Sequence, residues 1–252
     1  MDTLGYILLF TILGSIVSLV GGALLLLKEK LAIKMSHFLA SFAAGTLLGT
    51  AFLDLLPEAQ ETAEGKDINI FLITLLGIII FFLLERFIHW FHHHHEHGTS
   101  HDQTVVPLIV LGDAVHNFID GVVIAATFLV SIPLGIVTAL AVAAHEIPQE
   151  IGDFGIMLHR GVKRGKVLLL NLVSALTALA GAILTYLLGE SIESVLPTLL
   201  ALSAGFFIYI AASDLIPEIH NEESRSKALV ETILLLLGVL VVGIFISLLE
   251  PH

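Results

Sequence analysis

The chain has 252 residues, of which 56% are hydrophobic and 13% charged, and its mean hydropathy is +0.97. An ordinary soluble domain carries about 25% charged residues, so a chain this apolar reads first as a membrane protein. The formal net charge of -12 offers no basis for a nucleic-acid partner, and the absence of cysteine excludes both a disulfide framework and a thiolate metal site.

In chain order, Met1–Gly5 lacks the basic flank of a leader peptide, so the first apolar run reads as a retained span. A bilayer core requires about 20 apolar residues per helix. Eight segments meet this, at roughly 5–27, 36–57, 68–90, 105–130, 134–158, 167–189, 197–218 and 229–249. Backbone in lipid must satisfy its own hydrogen bonds, and the alternating pattern of barrel strands is absent, so helices are expected. The expectation is an all-α, polytopic membrane protein forming a single transmembrane domain over residues 1–252.

The connections orient the spans. Lys28, Lys30, Lys34, Arg86, Arg160, Lys163, Arg164, Lys166, Arg225 and Lys227 fall on one side and Lys66 alone on the other, ten against one. The positive-inside rule then places both termini outside the cytoplasm. The outer connections carry Glu58, Glu61, Glu64, Asp67, Glu190 and Glu193. Such acids raise the local cation concentration, and they are equally what remains where Lys and Arg are excluded.

An internal repeat is visible. Ala44-Gly45, Ala51, Asp54-Leu55 and Pro57-Glu58 recur at an offset of 160 residues as Ala204-Gly205, Ala211, Asp214-Leu215 and Pro217-Glu218. The second span runs outward and the seventh inward, the inverted-repeat signature of transporters. Three spans, a central pair, and three spans inverted is the plan this suggests.

The central pair carries residues that do not belong in lipid. The fourth span reads L-G-D-A-V-H-N-F-I-D-G and the fifth A-A-H-E-I-P-Q-E-I-G-D-F. Ionisable residues at helix centres cost about 2.5–3.5 kcal/mol each, and Asp113, Asp120, Glu146, Glu150 and Asp153 crowd these two spans beside His116 and His145. His116 and Asp120 are four apart and share a helix face, with Asn117 beside them. His145, Gln149 and Asp153 form one stripe, flanked by Glu146 and Glu150. Asp120 lies ten residues from Val130 and His145 eleven from Leu134. At 1.5 Å per residue both sit about 15 Å deep, half of a ~30 Å core. A divalent cation would offset the carboxylates and use the imidazoles as ligands.

Pro148 removes one helical hydrogen bond beside His145. A freed carbonyl useful to a cation and an ordinary kink are both open readings. Asp54 and Asp214 are open likewise, between interhelical hydrogen bonds and a pathway role, and Glu85 reads as interfacial. The H-E-x-x-H pattern of zinc proteases is broken, because Gln149 stands at the second histidine. An intramembrane metalloenzyme is the lesser alternative, and a metal-sensing or structural membrane protein without ion flux is a third.

These strings resemble the signatures of the ZIP (Zrt-, Irt-like) metal transporters. H-N-F-I-D-G from His116 and H-E-I-P-Q-E-I-G-D-F from His145 carry the resemblance, with A-A-G-T-L-L-G-T-A-F-L-D-L-L-P-E-A from Ala43 and the eight-span plan. The resemblance implies uptake of a divalent metal, zinc first, toward the cytoplasm, with the metal as cargo and no resident cofactor. It implies a primary site of His116, Asp120, His145 and Gln149, and a neighbouring site of Asn117, Asp120 and Glu146, with Glu150 a further candidate. Asp54, Asp113 and Asp153 are candidate pathway residues. A homodimer in lipid, and metal-carrying helices moving against the rest, are implied as well. Two departures matter. One branch has histidine where Gln149 stands, which leaves iron, manganese or cadmium open. Some prokaryotic members carry a glutamate where Ser174 falls. The compact loops fit a prokaryotic inner membrane.

A histidine-rich stretch, His89, His92, His93, His94, His95, His97 and His101, lies between the third and fourth spans. Such tracts bind zinc-like ions when neutral, and a flexible solvated linker is the alternative. Titrating a peptide of this stretch with zinc at pH 7 should show binding tighter than millimolar; weaker binding ends the idea. His116 and His145 must also be neutral to ligate. Uptake at low metal should therefore weaken between about pH 7.5 and 5.5, either side of the ordinary imidazole value of about 6.5. With driving force held constant, an unchanged apparent affinity would count against histidine ligation.

Overall fold

The computed structural model describes residues 2–93, 106–159, 161–189, 194–220 and 224–249. It is all-helical, with no strand among the described residues, and eight helices are long and apolar enough to cross a membrane. In chain order α1 is Thr3–Leu27. Next, α2 is Glu29–Thr50 continued through Ala51–Leu55 and Leu56–Thr62. The central helices are α3 (Ile70–His93), α4 (Val106–Val130), α5 (Ile132–His159) and α6 (Arg164–Leu188). Then α7 is Leu196–Ile210 continued through Ala211–Leu215 and Ile216–His220, and α8 is Arg225–Leu249. Long runs of Leu, Ile, Val and Phe make each helix, and the polar residues facing inward set how they pack. Of the histidine-rich stretch, His92 and His93 end α3, and residues 94–105 lie outside the described residues.

The 160-residue repeat is structural. Ala51–Leu55 and Ala211–Leu215 are both wide π turns, each closed by an i to i−5 bond: the Leu56 amide donates to the Ala51 carbonyl and the Ile216 amide to the Ala211 carbonyl. A proline follows each, Pro57 and Pro217. A proline ring clashes with the carbonyl four residues back and offers no N–H. One extra residue in the turn before it shifts that carbonyl aside, and single π turns recur at functional positions. Asp54 and Asp214 ride on these turns.

Helix pairing obeys the same symmetry. The five most extensive helix contacts are α4 with α6, α2 with α7, α2 with α8, α1 with α5, and α3 with α7. Exchanging α1 with α6, α2 with α7, α3 with α8 and α4 with α5 maps this set onto itself. Close approach at glycine shows it atom by atom. A Cβ on Gly45 would lie 2.0 Å from the Leu235 carbonyl oxygen, and one on Gly205 would lie 2.3 Å from that of Thr74. A Cβ on Gly238 would meet the Phe42 carbonyl oxygen at 2.3 Å, and one on Gly77 that of Leu202 at 2.6 Å. Residues 42, 45, 74 and 77 correspond to 202, 205, 235 and 238. Small residues at such crossings let backbones touch where lipid supplies no hydrophobic drive.

The pairings divide the helices into two groups of four: α1, α4, α5 and α6, and α2, α3, α7 and α8. The largest contact across the boundary is α2 with α5. The buried core residues of these two helices include Ala40, Ala43, Ala44 and Leu47 of α2 and Leu134, Ala139 and Val142 of α5.

Gly45→Ala and Gly205→Ala should each destabilise the protein by about 1–3 kcal/mol, as overpacking does. The change should appear as a lower melting temperature in detergent. Gly152→Ala is the control, because its Cβ would meet nothing within 4 Å. Equal melting of all three variants and the parent would refute the packing account.

Candidate metal site

The middle of the first group holds the site. His116 and Asp120 project from one face of α4, and His145 with Glu146 from the middle of the 28-residue α5. One ligand atom from each lies within 4.8 Å of all the others, and all four residues are buried. His116 Nε2 is 3.1 Å from His145 Nε2, 3.6 Å from Asp120 Oδ2 and 3.5 Å from Glu146 Oε1. His145 Nε2 is 3.4 Å from Asp120 Oδ2 and 3.8 Å from Glu146 Oε1. A tetrahedral cation with bonds of about 2.0–2.1 Å has ligand–ligand edges of about 3.3–3.4 Å. The five separations bracket that edge.

The donors are also oriented. His145 Nδ1 lies 3.2 Å from the Ala141 carbonyl oxygen, which only accepts, so Nδ1 carries the proton and Nε2 turns its lone pair to the site. Asp120 Oδ2 and Glu146 Oε1 are buried without a hydrogen bond. An unpaired buried charge costs several kcal/mol. Two carboxylates, two neutral imidazoles and one dication sum to zero, so a bound M²⁺ would leave the quartet electrically neutral.

The helix continues through Pro148, so no break in α5 accompanies that residue. The remaining sequence candidates occupy other positions. Gln149 is half-buried one turn beyond His145. Asn117 donates from Nδ2 to Asp113 Oδ1 at 2.9 Å and to the Asp113 carbonyl at 3.1 Å. Glu150, 1% exposed, has neither carboxylate oxygen hydrogen-bonded. Asp113, one turn back on α4, and Glu150, one turn on in α5, are displaced in the same direction. They make a second polar layer, with buried Ser174 of α6 against Asp113, and buried Asn171 lies one turn before Ser174 on α6. Half-buried Asp153 lies further along the same line. Asp54 is buried on α2, whereas its counterpart Asp214 is exposed.

The second helix group closes over the imidazoles. The Phe81 ring of α3 meets His116 edge-on at a centroid distance of 5.5 Å, and Phe207 of α7 meets His145 at 6.1 Å. Tyr209 packs on Phe81 and donates its hydroxyl to Glu85, so Glu85 faces α7 as a hydrogen-bond acceptor. Sequence reading did not find Phe81, Phe207 or Tyr209. Nothing local marks an aromatic that becomes a neighbour of the site only through packing.

Comparison with known proteins agrees with this chemistry. A family model described as "ZIP Zinc transporter" matches residues 3–107 and 103–246. "Zinc transporter ZIP13" of Pongo abelii is 36% identical over 220 residues, covering 82% of this chain and 66% of the relative. "Zinc transporter ZIP4" of Rattus norvegicus is 32% identical over 255 residues, covering 74% and 38%. "Zinc transporter ZIP4" of Homo sapiens is 48% identical over 110 residues, covering 44% and 17%. The chain thus spans from 17% to 66% of the length of these relatives, all of which are named as transporters rather than enzymes. Eight apolar helices, an inverted repeat, a buried imidazole–carboxylate quartet and these matches place the chain in the ZIP zinc transporter family.

Proposed function

We infer that the protein carries a divalent transition-metal ion across a membrane, zinc first, binding it at the His116–Asp120–His145–Glu146 quartet. The observation that supports this best is the convergence of four buried donor atoms in mid-helix, two of them carboxylate oxygens without a hydrogen bond and one an imidazole of fixed tautomer. A catalytic zinc keeps one position open for water. Here the protein supplies all four corners, which favours cargo over catalysis.

The resemblance supplies uptake toward the cytoplasm by a homodimer, the Lys and Arg distribution supports termini outside, and the compact loops favour a prokaryotic inner membrane. Asp54 then receives the ion on the outer side. The Asp113–Glu150 layer and Asp153 pass it onward, with Asn117 and Gln149 assisting as it changes partners. The group carrying the ligands slides along the α2–α5 boundary, and the Phe81–His116 and Phe207–His145 contacts break and re-form. The histidine-rich stretch gathers metal after release. Two carboxylate oxygens make the donor set harder than an all-histidine site, which also suits Mn²⁺ and Fe²⁺. Competition uptake among zinc, iron, manganese and cadmium ranks them.

Metal uptake into sealed liposomes tests the proposal. His145→Ala, Asp120→Ala and Glu146→Gln should each reduce uptake at low metal by roughly 10–100-fold, at least the cost of disturbing a ligand's supporting contacts. Gln149→Ala should cost less than Glu146→Gln. The reverse order would move the fourth ligand to Gln149, and equal uptake by wild type and empty liposomes would reject transport.

A further inference from the structure

Away from the metal site, a groove of about 420 Å³ opens on the outer flank of α4 and α6. Its walls are apolar: Val106, Val110 and Leu111 of α4, with Val162 and Leu170 on the α6 side. Leu111 is 58% exposed, whereas Val106 and Val162 are buried and belong to a small satellite core. One charged residue lines the groove, Lys166, two residues into α6. Lys166 is exposed, as are Lys163 and Arg164 beside it, and it makes no ion pair among the described residues.

The dimensions fit one leaflet. The groove reaches from Val106 to Ala114 along α4. Eight residues of helix are about 12 Å, most of the ~15 Å half-thickness of a bilayer core. The three cations stand at the helix-start end, where headgroups lie, and the apolar walls extend inward from it. Juxtamembrane cations attract anionic lipid by about 1 kcal/mol each.

The geometry points to a binding site for an anionic phospholipid, its phosphate at Lys166 and one acyl chain in the groove between α4 and α6. The site abuts the transporting machinery. Ala114 follows Asp113, and Thr177 Oγ1 of α6 donates to the Ala114 carbonyl at 2.6 Å, holding the two walls together. A chain lying there packs against the back of the helix that presents His116.

Native mass spectrometry of the intact protein in detergent tests this, with phosphatidylglycerol and phosphatidylcholine of identical chains as probes. Wild type should retain phosphatidylglycerol about fivefold better, the ratio that ~1 kcal/mol gives. Lys166→Gln should reduce that preference, with Lys163 and Arg164 supplying what remains. Lys28→Gln, an equal charge loss at an exposed position elsewhere, should leave the ratio intact. Leu170→Trp should fill the groove and reduce retention of both lipids. Equal retention of the two lipids by wild type, or the same loss of preference in Lys28→Gln and Lys166→Gln, overturns the site. So does undiminished retention in Leu170→Trp, including the case where that variant instead turns dimers into monomers and marks the groove as an interface between copies.

Discussion

Charge neutrality at membrane depth is the constraint around which the molecule is organised. Carboxylates on α4 and α5 cannot stay ionised in a low-dielectric interior unless a positive charge joins them. No Lys or Arg lies in the α4 or α5 sequence to do so. Asp120 and Glu146 are held instead against two imidazoles, and a dication can complete the set without leaving net charge. The His145 tautomer, the mid-helix placement and the aromatic rings over the imidazoles all serve that one balance.

The scaffold meets a second demand, that helices pack closely without a hydrophobic drive. Glycine-to-carbonyl crossings at Gly45, Gly205, Gly77 and Gly238 bring α2 to α8 and α3 to α7 at backbone contact. The helix group that carries the imidazole–carboxylate quartet meets this frame chiefly where α5 packs on α2.

Much of this was legible in the sequence, and what was not has physical reasons. The eight spans follow from apolar length, and the repeat from seven matched positions. The matching of Gly77 to Gly238 was hidden because its offset is 161 rather than 160. The π turns were hidden because an extra residue in one turn leaves no compositional mark beyond Pro57 and Pro217. At the site, His116 and Asp120 follow from i, i+4 spacing, as does a stripe through His145 and Gln149. Glu146 is 100° further around α5. Its arrival in the quartet depends on how α5 is rotated against α4, which is a tertiary quantity. The Tyr209–Glu85 hydrogen bond joins residues 124 apart and has no local signal.

The self-mapping of the helix pairs has an energetic corollary. If each half can adopt the other's conformation, the molecule has two opposed postures built from corresponding contacts. Their free-energy gap then arises only where corresponding positions hold unlike residues or unlike surroundings. Asp54, buried, and Asp214, exposed, are such a position. Resting posture is therefore decided by the unlike pairs, and only matched positions such as Gly45 with Gly205 and Pro57 with Pro217 cancel.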